Sequence, residues 1–164
     1  MVGEGYACIR IIGRANFTAS VDFKALLDEL GSKGCDCYVL DLSECLLMDS
    51  TFLGVLAGLG VKLSSGKAGK APRGVELFNP GPRIVELLET LGVLHLFKVA
   101  RGSITPPVAT QAMEHTPAAP TQEELTRACL EAHQTLMDLN PANAAKFKDV
   151  AQFLAEGVKK AKTE

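Results

Sequence analysis

Two spacings of apolar residues alternate along the first hundred positions. Residues 6–12 form a β-rich run closed by Gly13. Thr18 or Ser20 can cap a helix that follows. Its Phe23, Leu26, Leu27 and Leu30 fall at i, i+3, i+4 and i+7, one apolar stripe that Gly31 ends. Residues 37–42 (CYVLDL) have the continuous apolar look of a buried strand. Residues 51–64 read as a second helix, Gly74–Phe78 as a third strand stopped by Asn79-Pro80, and residues 82–91 as a third helix that Gly92 ends. Residues 96–100 are the last strand. The order β-α-β-α-β-α-β needs crossover helices, and it predicts an α/β domain with a mixed, largely parallel sheet of four to five strands.

The pattern then changes. Residues 102–120 hold four prolines and little periodicity, and read as a linker between a domain at 1–101 and a helical segment at 121–164. Asn140-Pro141 divides that segment, since Asn caps well and Pro suits the first helical position. Leu125, Cys129, Ala132, Leu136 and Leu139 lie near one face of the first helix; Phe147, Val150, Leu154 and Val158 do so in the second. The resulting C-terminal helical hairpin must bury its apolar side. It can dock on its own domain, close on itself, or form a homodimer or partner surface.

Composition narrows the function classes. The chain has 164 residues, 47% hydrophobic and 22% charged, the balance of a folded protein. A net charge of −2 and the absence of Trp argue against nucleic acid as a partner. The longest apolar run, residues 52–61, is half of the roughly twenty residues a membrane span needs. With no leader-like N-terminus and an odd count of five cysteines, a cytoplasmic protein with reduced thiols is expected. Cys35 and Cys37 lack zinc-loop spacing, so no metal and no cofactor is expected. The basic stretch 60–70 fails as a phosphate loop: five residues separate Gly60 from Gly66, and Ala68 stands where Ser or Thr is needed. His95, His115 and His133 lie in different segments, and no catalytic carboxylate pair is evident, so an enzyme is not expected.

The informative segment is VLDLSECLLMDSTFLGVLAGLG, residues 39–60. A strand ends at Asp41-Leu42-Ser43, and Met48-Asp49-Ser50-Thr51 leads into a helix. Ser50 then stands at or beside the N-cap, where its hydroxyl can accept from free backbone N–H groups. Capping alone would explain Asp49-Ser50-Thr51. Gly54 and Gly58, four apart on one face, suggest a close approach of this helix to its surroundings, expected to be the sheet.

This string resembles the signature of STAS domains, which include the anti-sigma-factor antagonists of bacterial partner-switching systems. The resemblance covers about residues 5–101, including Gly13, Thr18-Ala19 and the later NPGPRIVELLETLGVLHLF segment. It implies a STAS-like fold and a regulatory protein-protein interaction. It places a phosphorylated serine at Ser50, with Thr51 as the fallback, and partner contacts at Asp49, Ser50, Thr51, Phe52 and Asn16. The implied partners are a serine kinase that doubles as an anti-sigma factor and a serine phosphatase; transcription is what such a pathway regulates. Two residues depart from the pattern. Phe52 replaces a usual Gly and, if exposed, makes an apolar anchor. Gly13-Arg14-Ala15-Asn16 lacks the acidic residue of many phosphorylated members. A STAS-type scaffold or sensor, binding a small ligand or self-assembling without phosphorylation, is the alternative.

Overall fold

The computed structural model describes residues 2–3, 5–66, 73–105 and 119–161. Lys67 and Lys70 of the basic stretch, His115 and most of the proline-rich linker lie outside the described residues. Seven strands and five helices are present among those described: β1 (Val2–Gly3), β2 (Tyr6–Arg10), β3 (Gly13–Ala15), α1 (Phe17–Ser32), β4 (Cys37–Asp41), β5 (Cys45–Met48), α2 (Ser50–Ser64), β6 (Gly74–Phe78), α3 (Pro82–Thr90), β7 (Phe97–Ala100), α4 (Gln122–Leu139) and α5 (Ala144–Ala161).

Five strands form one sheet in the order β1-β2-β4-β6-β7. β1 runs antiparallel to β2, and the other neighbours are parallel. Ala7, Tyr38, Val75 and Phe97 lie in register across four strands and are buried, Ala7 completely. With Leu40 and Leu77 they share a core with Phe23 and Leu30 of α1, Leu53 and Leu56 of α2, and Ile84 and Leu88 of α3. The opposite register, Tyr6, Cys8 and Val39, makes a smaller cluster against Ile104. One large core therefore fixes the sheet, and the alternation of strand side chains assigns each residue to its side.

Three local details differ from expectation. Asn16, rather than Thr18 or Ser20, caps α1, its side chain accepting from the Ala19 amide at 3.1 Å. The helix runs past Gly31; the left-handed turn falls at Gly34, at φ +85°. β3 and β5 form a separate parallel two-stranded ladder that the sequence did not announce, being three and four residues long.

The hairpin docks on its own chain. Ala128, Ala132 and Leu136 of α4 are buried where the helix meets α1 and α2. The turn between α4 and α5 seats on the end of α3, where the Asn143 side-chain amide donates to the carbonyls of Leu91 at 2.9 Å and Leu136 at 2.8 Å. These bonds satisfy helix-end carbonyls that would otherwise be open. Thr121 and Glu124 start α4 with a capping box, each accepting from the other's backbone. Among the described residues no helix is long and apolar enough to cross a membrane.

Candidate functional site

The start of α2 is built by Asp49. Its carboxylate takes two backbone donors: Oδ1 accepts from the Phe52 amide at 2.9 Å, and Oδ2 from the Phe17 amide at 2.6 Å. One side chain thus caps α2 and ties down the first turn of α1. The Asp49 amide donates to the Ala15 carbonyl, which joins the same point to β3.

Ser50 is consequently relieved of capping. It is the first residue of α2, half-buried, and its hydroxyl meets Nε2 of His133 on α4 at 3.0 Å. His133 is 6% exposed. Burial lowers its pKa, against weaker opposing pulls from the Cys129 carbonyl and the Asp49 charge. The ring is therefore neutral near pH 7. The Cys129 carbonyl falls short of hydrogen-bond geometry, and Nδ1 has no partner among the described residues. The Phe147 ring of α5 lies against the imidazole, centroids 4.8 Å apart.

The remaining expected contact residues separate into inside and outside. Thr51 is 4% exposed and its hydroxyl points to Cys129 Sγ at 3.6 Å, which removes it as an accessible fallback for Ser50. Phe52 is 2% exposed and stacks on Phe23 at 4.5 Å between centroids. It is a core residue, so the expectation of an apolar anchor at the surface is corrected. Asn16 is occupied with its cap and half-buried. In their place the structure exposes Phe17 at the start of α1, and Leu46 and Leu47 on β5. Leu47 faces solvent two residues before Asp49. Sequence periodicity gave no hint of Leu46 and Leu47, because β5 is too short to show alternation.

Gly54 explains how α4 comes so near. A Cβ placed there would lie 2.5 Å from the Ala132 carbonyl oxygen. The close approach expected for this glycine is thus made to α4, not to the sheet. Gly58, one turn on, faces open space and lines a cavity of about 300 Å³ between α1, α2 and α4. Lys24 of α1 and Glu131 of α4 pair at its rim.

His133 and Ser50 form a hydroxyl-imidazole pair, but among the described residues no carboxylate accepts from Nδ1. The pair lacks the third group that orients a catalytic base. Among the described residues no cluster of His, Cys, Asp or Glu could hold a metal ion. His133 was not a candidate from sequence, since 83 positions separate it from Ser50.

No family model and no curated protein matches the sequence. Among solved structures, the anti-sigma factor antagonist SpoIIAA in its unphosphorylated form is similar, with a TM-score of 0.52 and 19% identity over 61% of this chain and 84% of that one. The α/β body is therefore a STAS-like fold, the architecture shared with that antagonist, with a helical hairpin added after it.

Proposed function

We propose that this protein is a regulatory binding module of the anti-sigma-factor-antagonist type, switched by phosphorylation at Ser50. The partner is a serine kinase that also holds a sigma factor, and a serine phosphatase resets the switch. The supporting observation is the division of labour at the start of α2. Asp49 supplies the cap, so Ser50 is free of that duty, and its hydroxyl can be modified without unmaking the helix.

The physics favours an asymmetric effect. A phosphate adds about −1.5 to −2 charges. At a helix N-terminus the dipole and open N–H groups tolerate it. A surface apposed to Ser50 does not: it would have to bury a dianion beside Asp49. Phe17, Leu46 and Leu47 supply exposed apolar contacts for that surface, in place of Thr51 and Phe52.

The test is incubation of the full chain with ATP and a serine kinase of this type from the same cells, read by site-resolved mass spectrometry. One phosphate at Ser50, absent from Ser50→Ala, is expected. Equal incorporation into both proteins would overturn the reading.

The cavity beside Gly58 favours one alternative, a sensor for a small apolar molecule with a polar group at the Lys24, Lys62 and Asp28 rim. Under that alternative Gly58→Leu abolishes the response, and Ser50→Asp leaves it intact.

A further inference from the structure

We propose that the cavity between α1, α2 and α4 is a binding site for a free apolar α-amino acid, its side chain held over Gly58, its ammonium at Asp28 and its carboxylate at Lys62. This ligand class rests on the sensor alternative for the same cavity and not on modification of Ser50.

The hairpin makes the site. The α/β body supplies two walls, α1 and α2, and α4 supplies the third, so the volume of about 300 Å³ is walled only in a chain that carries the hairpin. Val55, Leu59 and Ala128 give it an apolar lining. Gly58 stands among them, and an added Cβ there would meet nothing within 4 Å. A glycine inside a helix gives up propensity relative to alanine. At Gly54 the contact with Ala132 accounts for that loss, whereas at Gly58 no packing within the chain does. A ligand lying over Gly58 would.

Volume sets the bulk of the ligand. An apolar cavity of about 150 Å³ takes a benzene-sized molecule, so one of twice that volume takes about twelve non-hydrogen atoms, the size of free leucine or phenylalanine.

The rim sets its charge. Three cations and three anions line the cavity, and four of the six are spent on each other: Lys24 pairs with Glu131, and Arg73 with Asp36 at 3.2 Å. Lys62 on α2 and Asp28 on α1 are left without an ion-pair partner among the described residues. One open charge of each sign, on two walls of one apolar cavity, matches a zwitterion. A simple acid would leave Asp28 unanswered, and a simple amine would leave Lys62. The Asp28 side also carries the Tyr38 hydroxyl, which donates to the Cys35 carbonyl at 3.1 Å and lies 3.8 Å from where a Cβ on Gly31 would stand. Burial, then the neighbouring Cys35, Asp36 and Asp28, push the Tyr38 pKa up to about 12. The group is therefore a neutral phenol whose oxygen can still accept a hydrogen bond. A phenol oxygen near a carboxylate gives an ammonium two acceptors.

Isothermal titration calorimetry on the full-length protein tests this with leucine and phenylalanine, and with their analogues that lack the ammonium (isocaproate, phenylpropionate) or the carboxylate (isoamylamine, phenylethylamine). At least one of the two amino acids is expected to bind no less than tenfold more tightly than both of its analogues. Lys62→Gln is expected to weaken that binding at least tenfold and leave the amine unchanged; Asp28→Asn is expected to weaken it as much and leave the acid unchanged. Both side chains are exposed, so the fold tolerates both variants. Gly58→Leu fills the space and abolishes binding. An acid or amine that binds as tightly as its amino acid would overturn the zwitterion and leave an apolar sensor cavity standing. Binding of none of the six compounds would overturn the sensor alternative together with it. An amino acid that binds Gly58→Leu, or both charge variants, as tightly as wild type would sit elsewhere and overturn the site.

Discussion

The two halves of α2 carry the same texture in sequence and meet different surroundings. Gly54 in the first half is pressed against the Ala132 backbone, whereas Gly58 in the second half faces a cavity. The first half also holds Ser50 and its bond to His133; the second ends in solvent at Ser64 and Ser65. Glycine spacing thus signals that a helix can be approached, and the tertiary partner decides which glycine is used. The half in close contact is also the half that bears Ser50.

The sharpest way to break this contrast is Gly54→Leu. Overpacking typically costs about 1–3 kcal/mol, and here the first added atom would meet backbone oxygen, which cannot rotate away. Urea unfolding is expected to show a loss in that range, and a neutral result would mean the helices are not in contact. Asp49→Ala comes next. It removes the α2 cap and leaves the Phe17 amide without its acceptor, and loss of a cap costs about 1 kcal/mol and up to 2. Gly58→Ala is expected to act in the opposite direction. With no atom within reach of the new Cβ, helix propensity should raise stability by about 0.8–1 kcal/mol. Equal destabilisation at both glycines would erase the difference between the two halves.

Acid provides the smallest effect. His133 has a depressed pKa in the folded chain, whereas the unfolded chain binds its proton near the ordinary value of about 6.5. Below that value the unfolded state holds more protons, so the contribution of the neutral ring is complete above pH 6.5 and is lost as pH falls through the folded pKa. Asp49, Ser50, Phe147 and the Cys129 carbonyl face the ring, and of these the Cys129 carbonyl and the Asp49 charge oppose the shift. The midpoint of thermal unfolding is expected to fall between pH 7.5 and 5.5, and by less in His133→Phe.

Much of the body was readable beforehand. The stripes of α1 and α3, the apolar run of β4 and the Asn-Pro break between α4 and α5 each follow from local chemistry that acts over one or two turns. The hairpin was expected to need a surface, and it found its own domain. What lay beyond reach were long-range facts. Whether Phe52 faced water depended on Phe23, 29 positions away in sequence and held in another helix. Thr51 was hidden by Cys129 and Ser50 was met by His133, both from a helix across the linker. The division between Asp49 and Ser50 was invisible for a different reason, because both residue types cap well and only geometry assigns the task.

The most direct measurement is the affinity of a serine kinase of the anti-sigma-factor type from the same cells for the unphosphorylated and the Ser50-phosphorylated full-length chain, taken at one salt concentration. The account predicts weaker binding after phosphorylation by at least tenfold, which corresponds to about 1.4 kcal/mol. Equal affinity for the two forms would contradict it.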